Sequence, residues 1–250
     1  MESIFEEDLY VTAYNTDSNG WLNIYSLFNF LQEAGGNHAK KLGVGFNSMQ
    51  TEGVFWALSR IKVIINALPK WGDTIHLQTW PKGVDKLFFM RDFILTDKNS
   101  QPIITATSAW IVVDVNKRRP LKPQTIDYSM PDNHGKFAIR EIPGKLTSPT
   151  TTPSFRYERN VSINEIDVNQ HVNNAHYVQW LMDCFDLSYV SSHQLASIQI
   201  NYLEEMKYGD KISIFTATND VSSNQFYIEG TKASDHSKAF QALTEWKKLD

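Results

Sequence analysis

The fold of this chain is decided by residues Glu165–Trp180, which read EIDVNQHVNNAHYVQW. A carboxylate, a carboxamide and an imidazole alternate at Asp167, Asn169 and His171, and an amphipathic helix is predicted to follow directly. If this segment is extended, the three side chains point to the same side, because residues two apart share a face of a strand. The first amides of the helix carry a partial positive charge. The stretch therefore combines a base, an orienting acid and an anion-stabilising helix end, as acyl transfer requires.

The same residues also fit a purely structural role. Asp and Asn in front of a helix are common turn and capping residues, and a single His often serves packing. Both interpretations are open on this stretch alone, so the rest of the chain has to separate them.

Composition excludes several classes of protein. A length of 250 residues fits one large or two ordinary domains. The net charge of −4 argues against a general nucleic-acid or membrane binder. The acidic start lacks an apolar signal core, and no apolar run approaches the roughly 20 residues that span a bilayer. A single cysteine, Cys184, excludes an internal disulfide and a cysteine-based metal site. We expect a cytoplasmic protein that uses no metal and no cofactor.

The chain is an imperfect duplication. At a shift that carries Asp17 to Asp167, further pairs coincide in order: Asn19 with Asn169, Asn23 with Asn173, and Leu31 with Leu181. Later the shift carries Trp71-Gly72-Asp73 to Tyr208-Gly209-Asp210, so the second copy lacks 13 residues between its helix and the next strand. In the first copy this region is roughly Leu42 to Val54. Consistent order across many weak matches predicts two related halves.

Each half is predicted to hold a strand, a D-x-N turn, one helix and four more strands. The first strands are placed near Leu9–Tyr14 and Tyr157–Ile163. Apolar residues at helical spacing mark the helices, at Ile24, Leu27, Phe28 and Leu31 and at Tyr177, Trp180, Leu181, Cys184 and Phe185. A long helix beside a long antiparallel sheet is an α+β plan. We predict domains at residues 1–115 and 155–250, joined by a linker at 116–154 that holds six of the nine prolines.

The two halves differ in their polar chemistry. His171 corresponds to Trp21, and Glu205 corresponds to Leu68. The first half thus kept the scaffold without these polar groups, which favours a catalytic role for them in the second half.

Three stretches carry a resemblance to a known family: LQEA with the following NHA at residues 31–39, WALSRI at 56–61 with WGD at 71–73, and DVNQHVNN at 167–174. From about Tyr10 to Trp246 the chain resembles the acyl-acyl-carrier-protein (acyl-ACP) thioesterases of plant plastids and their bacterial relatives. Such proteins carry two hotdog domains in one polypeptide, so the resemblance implies two tandem hotdogs, each a long helix wrapped by an antiparallel sheet. It also implies hydrolysis of fatty acyl-ACP to free fatty acid.

The resemblance places catalytic roles on Asp167, Asn169 and His171, and on Glu205, which it implies lies in a strand about 35 residues further on. The plant enzymes have a cysteine directly after this glutamate, whereas this chain has Met206. A thioether cannot attack a thioester, so a cysteine acyl-enzyme at this position is excluded. Cys184 lies on the apolar seam of the predicted second helix and is expected to serve packing.

Our expected mechanism is attack by water, with His171 and Glu205 sharing the general-base work. Asp167 would orient them, and Asn169 would hold the nucleophile or the substrate. The helix amides at Asn173 and Asn174 would face the carbonyl oxygen. Direct attack by a carboxylate to form an anhydride is the alternative.

The first half is expected to bind the acyl chain. Gly35 and Gly36 lie together on its helix, where they either leave room for a lipid chain or allow a strand to cross closely. We favour the first interpretation.

The expected partner is acyl carrier protein with its phosphopantetheine-linked acyl chain. We expect no binding to nucleic acid and no insertion into a membrane. Candidate contacts for this partner are Lys40, Lys41, Lys82, Lys86, Lys117, Arg118, Arg119 and Lys122. Two fused hotdogs would be a monomer or a homodimer. The alternatives are an acyl-CoA thioesterase, a 3-hydroxyacyl dehydratase and a non-catalytic acyl-binding module.

Overall fold

The computed structural model describes residues 3–126, 128, 130, 131, 133, 135–219 and 222–249. The chain divides into two compact units, Met1–Pro143 and Gly144–Asp250, and the division lies inside the predicted linker 116–154. Part of that segment packs onto unit 1, where Leu121 and Ile126 cover a buried apolar cluster. The cluster consists of Leu42, Val44, Met49, Val54 and Val112.

Unit 1 is built from five strands and two helices. In chain order the elements are β1 (Phe5–Tyr10), α1 (Ile24–Lys41), α2 (Phe46–Thr51), β2 (Val54–Ile65), β3 (Thr74–Asp85), β4 (Phe88–Thr96) and β5 (Pro102–Asp114). The strands run in the order β1-β3-β4-β5-β2, and the pairs are antiparallel. The helix α1 packs against β1 and β3.

Unit 2 repeats this plan. Its elements are β6 (Ser154–Asn160), α3 (Asn174–Met182), α4 (Leu187–Ser192), β7 (His193–Tyr202), β8 (Lys211–Asn219), β9 (Ser222–Lys232) and β10 (Lys238–Lys248). The strand order β6-β8-β9-β10-β7 matches that of unit 1 strand for strand, again with antiparallel pairs. This confirms the α+β prediction and supports duplication of one unit.

The predicted helix of the first half is confirmed. Ile24, Leu27, Phe28 and Leu31 are buried on one side of α1, as their spacing requires. Asn23 caps the helix by accepting a hydrogen bond from the Ser26 N–H at 2.7 Å. His38, Lys40 and Lys41 lie in the last turn, where positive charge complements the helix dipole.

The predicted second helix is too long. α3 ends at Met182 after nine residues, whereas α1 has 18, so Cys184 and Phe185 lie beyond its end. Their N–H groups bond to carbonyls only three residues back, at Leu181 and Met182, which is a tightened last turn that does not continue. The residues missing from the second half are therefore mostly helical, and their assignment to a counterpart of Leu42–Val54 was wrong.

The first strand of each unit ends earlier than predicted, at Tyr10 and at Asn160. A short 3-10 turn follows each strand, at Ala13–Asn15 and at Ile163–Glu165. The side chain of Asn15 accepts the Thr12 N–H, and that of Glu165 accepts the Ser162 N–H. These bonds favour the turn over an extended chain.

Candidate active site

The Asp167 turn, defined here as residues 167–171, is a closed loop and not the extended segment that the alternating pattern predicted. The Asp167 N–H donates to the His171 carbonyl at 2.8 Å, and the Gln170 N–H donates to the Asp167 carbonyl at 3.0 Å. The Asp167 carboxylate accepts the Asn169 N–H at 2.7 Å. Gln170 has a φ of 64°, in the left-handed region. The local bond of the Asp side chain closes the turn, so a common strand face was the wrong reason to group these residues.

Unit 1 forms the same loop in the Asp17 turn, residues 17–21. The Asp17 N–H donates to the Trp21 carbonyl at 2.8 Å, and the Asp17 carboxylate accepts the Asn19 N–H at 2.8 Å. Gly20 takes the left-handed position with a φ of 76°. The structural interpretation of the Asp and Asn residues is therefore correct for the backbone of both units.

The residue that ends each turn differs in chemistry. In unit 1 the Trp21 ring lies under the Lys70 ammonium, 4.5 Å from the ring centroid. In unit 2 the Nε2 of His171 lies 3.2 Å from a carboxylate oxygen of Glu205. The His171 side chain is 12% exposed and that of Glu205 is 41% exposed, so the imidazole is largely covered and the carboxylate is the more exposed partner.

The Glu205 segment, residues 203–207, follows β7 and is tied to the loop that carries His171. The Val172 N–H donates to the Met206 carbonyl at 2.8 Å. The corresponding bond in unit 1 runs from the Leu22 N–H to the Pro69 carbonyl, also at 2.8 Å. The approach of the two segments is thus a property of the shared scaffold, onto which unit 2 adds the imidazole and the carboxylate.

The start of α3 is capped more completely than we expected of an anion site. The Asn173 side chain accepts the Ala175 N–H at 2.9 Å, and its carbonyl accepts the His176 N–H at 3.0 Å. The N–H groups of Ala175 and His176 are therefore engaged, and of the two amides predicted to face a substrate carbonyl, that of Asn173 already donates to the Glu165 carbonyl. The Asn174 carbonyl accepts the Tyr202 hydroxyl at 3.1 Å, which fixes the first turn of the helix against β7.

A buried carboxylate, Glu165, anchors the entry to this helix. It pairs with Arg159 and accepts hydrogen bonds from the Ser162 N–H at 2.7 Å and the Trp180 indole at 2.9 Å. Burial raises its pKa, but these hydrogen bonds and the Arg159 charge outweigh burial and hold the pKa below its usual value. The Glu165 carbonyl also accepts the Asn173 N–H at 2.9 Å.

Tyr177 lies beside the His171–Glu205 pair, although its spacing in the sequence predicted only a core residue of the helix. The residue is 3% exposed, and its hydroxyl accepts the Met206 N–H at 3.1 Å. The hydroxyl also lies 3.4 Å from the Glu204 carbonyl, to which it donates. Burial raises the pKa of Tyr177, and the nearby charge of Glu205 raises it further. The signal in the sequence was a tyrosine at the position where the first half has Leu27.

The glycines of α1 do not share one environment. Gly36 is exposed, and a Cβ built on it would meet no atom within 4 Å, so its predicted place in an acyl-binding interior was wrong. Gly35 is buried, and its Cβ would lie 3.5 Å from Cδ of Arg91 and 3.8 Å from Cζ of Phe93. Gly35 therefore faces β4. Its role in binding the acyl chain stays a prediction.

Two further candidate residues from the sequence, Cys184 and Lys82, are buried. Cys184 is buried and lies 3.9 Å from the Trp180 carbonyl. Burial raises its pKa to about 12, which suits a packing residue and not a nucleophile. Lys82 was a wrong candidate for a partner contact, because its ammonium is buried 2.9 Å from the Asp92 carboxylate.

Among the residues that the structure describes, no helix is both long and apolar enough to cross a membrane.

Comparison with known proteins covers both units. Residues 2–125 match the acyl-ACP thioesterase N-terminal domain, and residues 149–248 match the acyl-ACP thioesterase C-terminal domain. One curated relative is the chloroplastic oleoyl-acyl carrier protein thioesterase 1 of Arabidopsis thaliana. It is 27% identical over 261 residues, which cover 96% of this chain and 71% of the relative.

Solved structures agree with the sequence comparison. The acyl-ACP thioesterase from Bacteroides thetaiotaomicron superposes with a TM-score of 0.85 at 25% identity, covering 98% of each chain. The 12:0-ACP thioesterase from Umbellularia californica shares the fold with a TM-score of 0.85 at 24% identity, covering 100% of this chain and 99% of its own. Since these structures cover nearly the whole chain, the two-hotdog fold is confirmed. The chain belongs to the acyl-ACP thioesterase family and is a thioester hydrolase.

Proposed function

We propose that the protein hydrolyses the thioester of fatty acyl-ACP and releases the free fatty acid, with the chemistry in unit 2. The observation that carries this proposal is the 3.2 Å contact between His171 and Glu205. This pair is placed beside the start of a helix, in the unit that matches the family's C-terminal domain. The relatives are named for oleoyl-acyl carrier protein and 12:0-ACP, which supports a fatty acyl-ACP substrate.

In the proposed reaction a water oxygen attacks the thioester carbonyl carbon, and its proton passes to the His171–Glu205 pair. The tetrahedral intermediate then collapses, the C–S bond breaks, and the electron pair leaves on sulfur. The pair returns the proton to the thiolate or to solvent. General-base help of this kind is worth about 10²–10⁴ in rate. Because thiols have pKa values near about 8.5, the leaving group makes little demand on an acid.

The remaining predicted residues take supporting roles in this proposal. Asp167 orients His171 by closing the turn through its bond to the Asn169 N–H. The Asn169 side chain holds the attacking water or the substrate. Asn173 supports the substrate-binding end of α3 as its cap, and Asn174 supplies that end's first turn.

Unit 1 is proposed to bind the acyl chain, which assigns binding to residues 1–115 and hydrolysis to residues 155–250. The side of α1 that carries Gly35 faces β4. We propose that the acyl chain contacts this side of the helix. The donor is acyl carrier protein with its phosphopantetheine arm. The cytoplasmic location and the monomeric or homodimeric state stay predictions.

The test is a hydrolysis assay on acyl-ACP and acyl-CoA of matched chain lengths, following both free thiol and free fatty acid. We expect equal amounts of thiol and acid, with a higher kcat/KM on acyl-ACP. A 3-hydroxyacyl substrate that loses water without releasing thiol would instead indicate a dehydratase. Tight acyl binding without thiol release would indicate a binding module.

A further inference from the structure

Glu205 has no regular secondary structure of its own to hold it. β7 ends at Tyr202, and the Glu205 segment continues as an irregular chain. Its side chain is 41% exposed, and exposed ion pairs between mobile side chains contribute little stability. A productive contact with His171 therefore depends on how firmly the backbone on either side of Glu205 is fixed.

The hydroxyl of Tyr177 bonds to the backbone on both sides of Glu205. It accepts the Met206 N–H at 3.1 Å and donates to the Glu204 carbonyl at 3.4 Å. One side chain thus holds the residue before the carboxylate and the residue after it.

Tyr177 is itself rigidly placed. Its ring lies against Trp180, Tyr202 and Phe240, with centroid distances of 4.9, 5.4 and 5.7 Å. The residue lies one turn into α3, the helix that the His171 loop leads into. The hydroxyl therefore links the element that follows His171 to the segment that carries Glu205.

Unit 1 lacks both halves of this link. Leu27 stands at the position of Tyr177 and has no hydroxyl, and Pro69 stands at the position of Met206 and has no N–H to donate. The bond between the two segments through Val172 or Leu22 is nevertheless present in both units. The tyrosine link thus accompanies the imidazole and the carboxylate and is not part of the shared scaffold.

We propose that Tyr177 is a positioning residue whose hydroxyl fixes the backbone around Glu205 and so holds the carboxylate against His171. This inference rests on the proposed roles of His171 and Glu205. Tyr177 touches neither water nor substrate in the proposed reaction, so we expect its effect to pass through the placement of Glu205.

The first measurement is the steady-state kinetics of Tyr177→Phe on acyl-ACP. We expect kcat to fall by about tenfold to a hundredfold, because small misplacements of catalytic groups cause losses of this size. KM should stay within about twofold of the wild-type value. Tyr157→Phe is the matched control, because its hydroxyl bonds the Trp180 carbonyl on the same helix. It should lose comparable stability in urea unfolding and retain its kcat.

The second measurement is a double-mutant cycle between Tyr177→Phe and Glu205→Ala. If Tyr177 acts through Glu205, the phenylalanine substitution lowers kcat in the wild type but has no further effect in the alanine background. An equal fold-loss in both backgrounds, or a wild-type kcat for Tyr177→Phe, overturns the inference. If Glu205→Ala is itself fully active, the proposed catalytic pair fails first, and the cycle reports that separately.

Discussion

The turn before α1 and the turn before α3 use the same hydrogen bonds around different side chains. In both, an Asp carboxylate accepts the N–H two residues on, and the loop then bonds to the segment that follows the next long strand. The Trp21 ring contacts a lysine ammonium in unit 1, whereas the His171 imidazole contacts a glutamate carboxylate in unit 2. The loop geometry is therefore a scaffold property, and the chemistry resides in a few substitutions on it.

This difference predicts the largest effect for the residues that unit 1 lacks. His171→Ala and Glu205→Ala should each lower turnover of acyl-ACP by at least about a hundredfold, because general acid–base catalysis is lost. Urea unfolding should change little, since the scaffold bonds do not use these side chains. Cys184→Ala is the control and should retain most activity. Near-normal turnover in either alanine variant would remove the pair from the mechanism.

A second prediction compares the two aspartates of the shared turn. Asp17→Ala and Asp167→Ala each remove the turn-closing acceptor and should each cost about 1 kcal/mol of unfolding free energy. Only Asp167→Ala should also lower kcat, by about tenfold, because it alone releases His171 from its place. Matched losses of activity in both variants would mean that the turns serve stability alone.

The third prediction uses the two glycines of α1. Gly35→Leu brings a side chain against Arg91 and Phe93 and should shift the acyl chain-length profile toward shorter chains while retaining their hydrolysis. Gly36→Leu should leave the profile unchanged, since its Cβ meets no neighbour. A uniform loss on all lengths for Gly35→Leu, or its unfolding, would assign Gly35 to packing.

The smallest expected effect concerns Glu165, whose counterpart in unit 1 is the uncharged Asn15. The folded-state pKa of Glu165 lies below its unfolded value, so its contribution to stability is present above the unfolded pKa of about 4.3 and is lost as the pH falls through the folded pKa. Glu165→Gln should therefore flatten the acid side of the stability-against-pH curve. An unchanged slope below about pH 4.3 would contradict this linkage.

The repeated fold could be predicted because it depends on local patterns. The helical spacing of Ile24 to Leu31 and the strand-like runs were sufficient for the order of the strands and the first helix in each unit, but the short helices α2 and α4 were missed. The early end of α3 could not be predicted, since Cys184 and Phe185 continue the apolar pattern although the backbone turns away.

The site was only partly predictable for a similar reason. His171 and Glu205 could be predicted as catalytic partners from the difference between the two copies and from the family resemblance. It placed Asp167 and Asn169 on a strand face, where the structure has a turn closed by the Asp167 side chain. The function of Tyr177 depends on where one hydroxyl lies relative to a distant backbone segment, which residue spacing does not encode.

A double-mutant cycle on kcat will show whether His171 and Glu205 act as one catalytic unit. The measurement compares free-thiol release from acyl-ACP by the wild type, His171→Ala, Glu205→Ala and the double variant at equal folded fraction. Because residues that act as a unit are strongly non-additive, we expect the double variant to be no more than about threefold slower than the slower single variant. Losses that multiply would show that the two residues act independently and do not form a catalytic pair.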